Sequence, residues 1–251
     1  MKLLHHTDRT RIYKQGSYVI KTHTDKPERL IHEQQSLVDL HLTTGTVQCD
    51  GWSIRVNVPV RVSSRRRYFV VRWVEGIPYN RLSSFETALQ CERCIAEWYR
   101  RLLESSKRQT GFYLLHGDLN NENILINQKD RTIHILDPGR LSGGMDALHT
   151  DIIMKLMSNI RLCSYRPVRF YKLNSVFLDH AIRPAAGRIH PVRFARNLLA
   201  FLYNIIPRLY RNRNYREIFI FPIIAVGVFG TVFFHWWNGF LTAKVQRVLR
   251  V

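Results

Sequence analysis

The sequence predicts an α+β chain in two parts: a small N-terminal lobe of antiparallel sheet with one helix, residues 1–75, and a larger, mainly helical lobe, residues 76–251. Two observations predict it. With 251 residues, 45% apolar and 12% aromatic, the chain can bury a large core, which excludes disordered, collagen-like and coiled-coil classes. Before Glu75-Gly76 the apolar residues fall in short β-rich runs, and after it they recur at helical spacing.

Taken in order, Ser17–Thr22 follows a Gln15-Gly16 turn signal and reads as a strand, with Arg11–Lys14 as its hairpin partner. Pro27 suits a first helical turn, and Leu30, Gln34, Leu37 and Val38 give a helical stripe ending near Leu42. Ile54–Val62 alternates apolar and polar residues, and Tyr68–Val74 is β-rich. With the basic turn SSRRR between them they read as an antiparallel pair. Ser84 has N-cap chemistry for a helix over Phe85–Leu103, whose spacing carries Leu89, Ile95, Trp98 and Leu102. Short strands are expected at Ile124–Asn127 and Thr132–Leu136, around Lys129-Asp130, and apolar helices at Asp151–Leu162 and Phe194–Ile206.

The segment that carries chemistry is LLHGDLNNENILI, Leu114–Ile126, followed by HILDPGR, His134–Arg140. Taken alone, Asp118, Asn120, Asn121 and Asn123 read as a polar turn between strands. Apolar frames on both sides, Leu114-Leu115 and Ile124-Leu125-Ile126, and a second acid leaving a strand at Asp137 make a joint pattern that an ordinary turn does not require. His116, Asp118 and Asn123 stand at H-x-D-x4-N, with Asp137 and Gly139 as a D-x-G further on. This resembles the catalytic and metal-binding loops of the protein-kinase-like superfamily. It is closer to the small-molecule branch (aminoglycoside and choline phosphotransferases, bacterial lipopolysaccharide core kinases) than to ordinary protein kinases. Phosphoryl transfer needs a carboxylate near the attacking hydroxyl and oxygen ligands that hold Mg²⁺ against the phosphates. The resemblance implies Asp118 and Asn123 as catalytic residues and Asn123 and Asp137 as ligands of Mg²⁺.

It further implies a strand lysine on the phosphates of ATP and a helix glutamate that holds it, and Lys21 in YVIK and Glu33 occupy those places. WVEGIPYNRL resembles the hinge between lobes, where backbone groups at Glu75 and its neighbours would meet adenine. His116 is expected to support the loop backbone, and Asp151 either braces the loop from below or caps a helix. The departures are specific: no G-x-G-x-x-G precedes Lys21, and the hairpin turn offered is Thr7-Asp8-Arg9-Thr10. Pro138 replaces the usual Phe of the metal loop, Gly117 replaces an arginine that reads a phosphorylated activation loop, and no A-P-E-like segment follows Gly139. Activation-loop phosphorylation and a protein substrate are therefore disfavoured.

Lys and Arg number 38 against 19 acids, a formal charge of +19, and residues 152–251 hold 16 of the bases with only Asp179 and Glu217. A polyanionic partner is implied. From Ile218 to Ala243 there are 26 residues without a charged side chain, flanked by Arg208, Arg211, Arg213 and Arg216 on one side and Lys244, Arg247 and Arg250 on the other. The stretch is long enough to span a bilayer, and Pro222, Gly227, Gly230, His235 and Asn238 equally suit a bent core helix. Basic flanks and Trp236-Trp237 favour a helix lying on an anionic leaflet. Four cysteines without a regular framework and an N-terminus without an apolar h-region point to the reducing cytoplasm, and Cys91-x-x-Cys94 reads as buried thiols before a zinc site.

The expectation is an ATP- and Mg²⁺-dependent phosphotransferase, monomeric and peripheral or monotopic on the inner face of the cytoplasmic membrane. Its acceptor would be a sugar hydroxyl of an anionic membrane glycolipid. The alternatives are a Ser/Thr protein kinase or RNA-associated kinase, nucleic acid being the less favoured partner, and a catalytically weak pseudokinase scaffold.

Overall fold

The computed structural model describes residues 1–6, 10–23, 27–63, 68–138, 144–211, 213 and 215–248. The turn residues Thr7–Arg9, most of the SSRRR turn, Gly139 and Arg250 lie outside the described residues, as do the side chains of Leu30, Arg208, Arg216, Lys244 and Arg247. The strands are β1 (Lys2–His6), β2 (Thr10–Gln15), β3 (Tyr18–His23), β4 (Val47–Cys49), β5 (Trp52–Val56), β6 (Pro59–Ser63), β7 (Tyr68–Arg72), β8 (Ile77–Pro78), β9 (Ile124–Asn127) and β10 (Thr132–Ile135). The helices are α1 (Pro27–Thr44), α2 (Phe85–Thr110), α3 (Met145–Leu162), α4 (Pro167–Phe177), α5 (Arg183–Ala186), α6 (Pro191–Arg211) and α7 (Tyr215–Val248).

Two sheets result. The first is antiparallel, in the order β1-β2-β3-β7-β6; the second runs β4-β5-β10-β9-β8 and contains one parallel pair, β5 with β10. Helix α1 lies against both, because Leu37 and Leu40 are buried and stand three residues apart on one helical face.

The expected single strand Ile54–Val62 is corrected to two strands in different sheets. After Val56 the Asn57 N–H donates to the Ile135 carbonyl (3.1 Å), the Val58 N–H folds back on the Val56 carbonyl (3.1 Å), and Pro59, with no N–H to give, opens β6. Only β6 pairs with β7; β5 stays beside β10. Part of the N-terminal chain is thereby built into the sheet of the β9–β10 hairpin. Strand β1, which has no buried position to announce it, was not legible as a strand.

Helix α2 is capped as expected, with Ser84 Oγ accepting the Thr87 N–H (3.2 Å), and it runs past Leu103 to Thr110. Its buried face carries Ala88, Glu92, Ile95, Tyr99 and Leu102. Helix α3 starts at Met145 rather than Asp151, so Asp151 sits in its second turn and does not cap it. Cys91, Cys94 and Cys163 are buried thiols, and Cys94 Sγ donates to the Cys49 carbonyl.

A polar network crosses this core. Lys155 Nζ, fully buried, donates to Glu92 Oε2 (2.7 Å), Asn159 Oδ1 (2.9 Å) and Asn121 Oδ1 (3.1 Å). The Tyr79 hydroxyl donates to Glu92 Oε2 (2.8 Å), and Asn159 Nδ2 donates to Asn174 Oδ1 (2.9 Å). Burial draws the Lys155 ammonium below its ordinary range, opposed by the charge and hydrogen bond of Glu92. Removing one member leaves a charge without its partner in the core, which costs far more than removing both. Lys155→Met is expected to lower unfolding stability by ~3–5 kcal/mol in urea denaturation. Adding Glu92→Gln should restore part of that loss; a single-mutant cost below ~1 kcal/mol would mean that Glu92 finds water once the lysine is gone.

Candidate active site

The loop from His116 to Asn123 is held from below by one carboxylate. Asp151 Oδ2 accepts the Tyr99 hydroxyl (2.7 Å) and the His116 N–H (3.1 Å), and Oδ1 accepts the Leu119 N–H (3.3 Å). Buried His116 stands between loop and strand: Nε2 lies 2.9 Å from the Leu136 carbonyl, to which it can only donate, leaving Nδ1 to accept the Asp118 N–H (3.3 Å). The ring thus ties the loop to the strand. Gly117 between them has a left-handed φ of +80°, a conformation that side chains with a Cβ adopt only under strain.

Asp118 is half-buried. Its Oδ1 accepts Asn120 Nδ2 (2.8 Å) and its Oδ2 accepts Asn123 Nδ2 (3.0 Å). Asn120 Oδ1 in turn accepts the N–H groups of Glu122 (2.8 Å) and Asn123 (3.2 Å), an Asx-type turn that fixes the loop. Burial lifts the Asp118 carboxyl above the ordinary aspartate value against the lowering effect of Asn120, His116 and Asn123. A carboxylate lifted in this way accepts a proton more readily.

Across the cleft, Lys21 lies on β3 opposite Phe69 of β7, and Glu33 is one turn before Leu37 on the face of α1 that meets the sheet. Lys21 Nζ donates to Glu33 Oε1 (2.6 Å) and to Asp137 Oδ1. Asp137 follows β10 with a left-handed φ of +49° just before Pro138, an uncommon backbone state at the point where the carboxylate leaves the sheet. The Leu136 N–H bonds the Asn123 carbonyl (2.8 Å), which ties the two loops together. One cation between two carboxylates sets their titration. Burial pushes Glu33 up to about 8, only partly relieved by Lys21 and reinforced by the charge of Asp137. Burial also acts to raise Asp137, but Lys21 and a hydrogen bond from Glu33 outweigh it and hold Asp137 low. Lys21 is raised, its carboxylate partners overcoming its desolvation.

These groups open on a cavity of about 280 Å³ whose apolar walls include Ile12, Val19 and Val71 above and Leu125 and Leu136 below, with Lys21, Glu33, Asn123 and Asp137 at its polar end. Trp73 and Val74 of the linker line it; Glu75 is exposed and does not. The linker also runs close to the hairpin, since a Cβ at Gly76 would lie 3.0 Å from the Ile126 carbonyl. The oxygens of Asp137 and of Asn123, whose amide nitrogen is already turned to Asp118, are hard donors of the kind Mg²⁺ takes.

A solved structure similar in fold is the aminoglycoside phosphotransferase APH(3'')-Id from Streptomyces rimosus, at 14% identity and a TM-score of 0.50, covering 75% of this chain and 87% of that one. The family model of the ABC1 atypical kinase-like domain matches residues 46–166. In fold the chain is similar to protein-kinase-like structures. Also similar are a choline/ethanolamine kinase family protein from Mesorhizobium loti (11% identity, 92% and 87% covered, TM-score 0.47) and the PknI kinase domain of Mycobacterium tuberculosis (13%, 76% and 84%, 0.42). No curated protein matches the sequence. The fold is two-lobed, α+β and kinase-like, and together with the family model it supports a kinase-type enzyme, for which ATP and a divalent cation are the general expectation. The matched segment holds the Trp73–Leu82 linker, the His116–Asn123 loop, Asp137 and Asp151, and does not include Lys21 and Glu33.

Asn120, Tyr99 and the Glu92–Lys155 pair were missed as parts of the site. A signal was present: Asp151, Lys155 and Asn159 recur every fourth residue in an otherwise apolar helix, which stacks three polar groups on one buried face.

The titration of Glu33 has a measurable sign. Its folded-state pKa of about 8 exceeds the ordinary 4.5, so the folded state holds the extra proton and stability is lost as pH rises across that window. Relative to Glu33→Gln, the wild type should lose urea stability between pH 5 and pH 8. A constant difference between the two proteins over that range would show that Glu33 is ionised throughout.

Proposed function

We propose that the protein transfers the γ-phosphoryl group of ATP to a hydroxyl, that of a sugar in an anionic, membrane-associated glycolipid. The observation that carries the phosphotransfer reading is the convergence of Asn123, Asp137, Lys21 and Glu33, drawn from four separate chain segments, at one polar end of a single cleft, with Asp118 hydrogen-bonded to Asn123. Lys21, oriented by Glu33, would hold the nucleotide phosphates, and backbone groups of the Trp73–Glu75 linker would meet the adenine. Asp137 and the Asn123 side-chain oxygen would hold Mg²⁺, which when bound offsets the charge of the transferring phosphate.

Asp118 takes the proton of the acceptor hydroxyl. The acceptor oxygen bonds to the γ-phosphorus, the bond from that phosphorus to the bridging oxygen breaks, and ADP leaves with the electron pair. Asn120 and Asn123 aim the carboxylate by holding one oxygen each.

The glycolipid part rests on charge and on α7. Aminoglycosides are cationic, whereas residues 152–251 are strongly basic and suit an anionic acceptor. Residues Ile218–Asn238 are long and apolar enough to cross a membrane, yet α7 packs one side on α3, α4 and α6 and leaves Phe219, Ile223 and Val226 about three-quarters exposed. A helix half embedded in the lobe and half bare suits attachment to the surface of an anionic leaflet.

The deciding experiment is transfer of labelled phosphate from ATP to extracted envelope glycolipid, run beside soluble-protein and RNA fractions. Label should enter the glycolipid, and Asp118→Asn should slow it by ~10²–10⁴ without unfolding the protein. Label confined to protein or RNA would overturn the acceptor, and unchanged turnover in the variant would remove Asp118 from its role.

For attachment, vesicles containing phosphatidylglycerol should float the protein at low salt. High salt should release much of it, because ions screen exposed charge within about 10 Å at 0.1 M. Retention in both high salt and carbonate would instead mean a spanning helix.

A further inference from the structure

A second, larger cavity of about 590 Å³ lies on the other side of the catalytic loop. Its walls are sorted by chemistry. Asn120, Glu122 and Arg161 stand where it meets the loop, and Met157, Ile205 and Ile224, from α3, α6 and α7, are among its apolar walls. Glu122 lines this cavity and the cleft of Lys21 and Asp137 alike, and Asn120 is the residue that donates to Asp118 Oδ1. The two cavities therefore share Glu122, and Asn120, on the wall of the second, holds the group that would take the acceptor's proton.

We propose that this cavity holds an acyl chain of the lipid acceptor, with the headgroup hydroxyl delivered to Asp118 across Asn120. The proposal rests on the phosphotransfer reading above and gives it a chain-binding site. Four features of the molecule favour a lipid chain. The volume lies within the ~300–1,000 Å³ typical of small-molecule sites. The apolar part of the wall offers no partners for the N–H and C=O groups of an extended peptide, which would go unpaired, whereas a hydrocarbon has nothing to satisfy. Met154 and Met157 supply flexible, polarizable surface that adapts to a chain without a fixed shape. Finally, the helix that walls the cavity with Ile220 and Ile224 turns Phe219, Ile223 and Val226 outward, so one apolar helix serves both the cavity and the face proposed to meet the leaflet. The excess of basic residues in this half of the chain complements an anionic headgroup.

The test uses the full chain and phosphatidylcholine vesicles containing phosphatidylglycerol with a photoactivatable diazirine at the end of one palmitoyl chain. After irradiation, adducts are mapped by mass spectrometry. Adducts are expected on the inner walls, at Met154, Met157, Phe201 or Ile205, besides those on the outer face of α7. Filling the cavity with Met157→Trp, or separately with Ile205→Trp, should lower the wall adducts at least about tenfold and leave those at Phe219, Ile223 and Val226. Far-UV circular dichroism checks that each variant is folded, and the wild-type map stands whether or not they are.

Adducts confined to the outer face, no adducts at all, or wall adducts that a hydrophobic peptide displaces and excess phosphatidylglycerol does not, would each overturn the proposal. Wall adducts in a protein that phosphorylates no glycolipid would support the chain site while removing the glycolipid as acceptor. Phosphorylation of a glycolipid by a protein labelled only on its outer face would do the reverse.

Discussion

The buried carboxylate of Asp151 is the constraint on which the rest of the site depends. It accepts three hydrogen bonds, from Tyr99 on α2 and from two backbone N–H groups of the loop that carries Asp118. A loop so rich in asparagine has many turns open to it; anchoring His116 and Leu119 to one rigid helix removes most of them. The anchor works because it is dry: a carboxyl group taken out of water holds its donors strongly, and donors left without it would bear the full cost of desolvation. Four residues along the same face, Lys155 reaches Asn121, so α3 grips the loop at a third point. Tyr99 and Glu92 bring α2 into the same arrangement, and the helical lobe and the loop are specified together.

The second constraint lies in the sheets. Because β5 pairs in parallel with β10, and Asn57 then bonds both the Ile135 carbonyl and the Arg72 carbonyl, the chain crosses from one sheet to the other two residues before Asp137 in register. Lys21 closes the same gap from the side of the first sheet. The distance between the strand lysine and the carboxylate at the end of β10 is thus set by backbone pairing and does not depend on long side chains finding one another in solvent. That is a preorganised arrangement, the property that electrostatic stabilisation of a transferring phosphate demands.

How much of this was legible follows from which interactions are local. The loop was legible because its residues stand within one short segment framed by apolar runs, and Lys21 and Glu33 because strand and helix follow each other directly. The Ser84 cap was legible for the same reason, since Ser84 and Thr87 are three residues apart. The break at Asn57–Pro59 was not, because alternation runs through Ile54–Val62 unbroken and what ends β5 is a bond to Ile135, far along the chain. The start of α3 was misplaced because Asp151 has the chemistry of a cap, and its real partners, Tyr99 and His116, are distant in sequence. Glu75 was placed at the cleft by its motif, while Trp73 and Val74 are the residues that line it.

Helix α7 shows why composition alone left three readings open for its apolar stretch. Ile224, Ala225, Val228 and Val232 are buried and lie within about two helical turns on one side, where Gly227 lets the helix approach Phe170 closely enough that a Cβ would stand 3.3 Å from the ring. Phe219, Ile223 and Val226 fall at the other side's spacing and are bare. A core helix has its apolar residues on one stripe and polar residues opposite, and a helix surrounded by lipid needs no packed side at all. This helix has two apolar sides and one of them is packed, which is what a lobe helix requires if its outer side is to meet something as apolar as itself. Between Phe219 and Val232 a lysine or glutamate on the packed side would be buried unpaired, so the packing alone accounts for the absence of charge there.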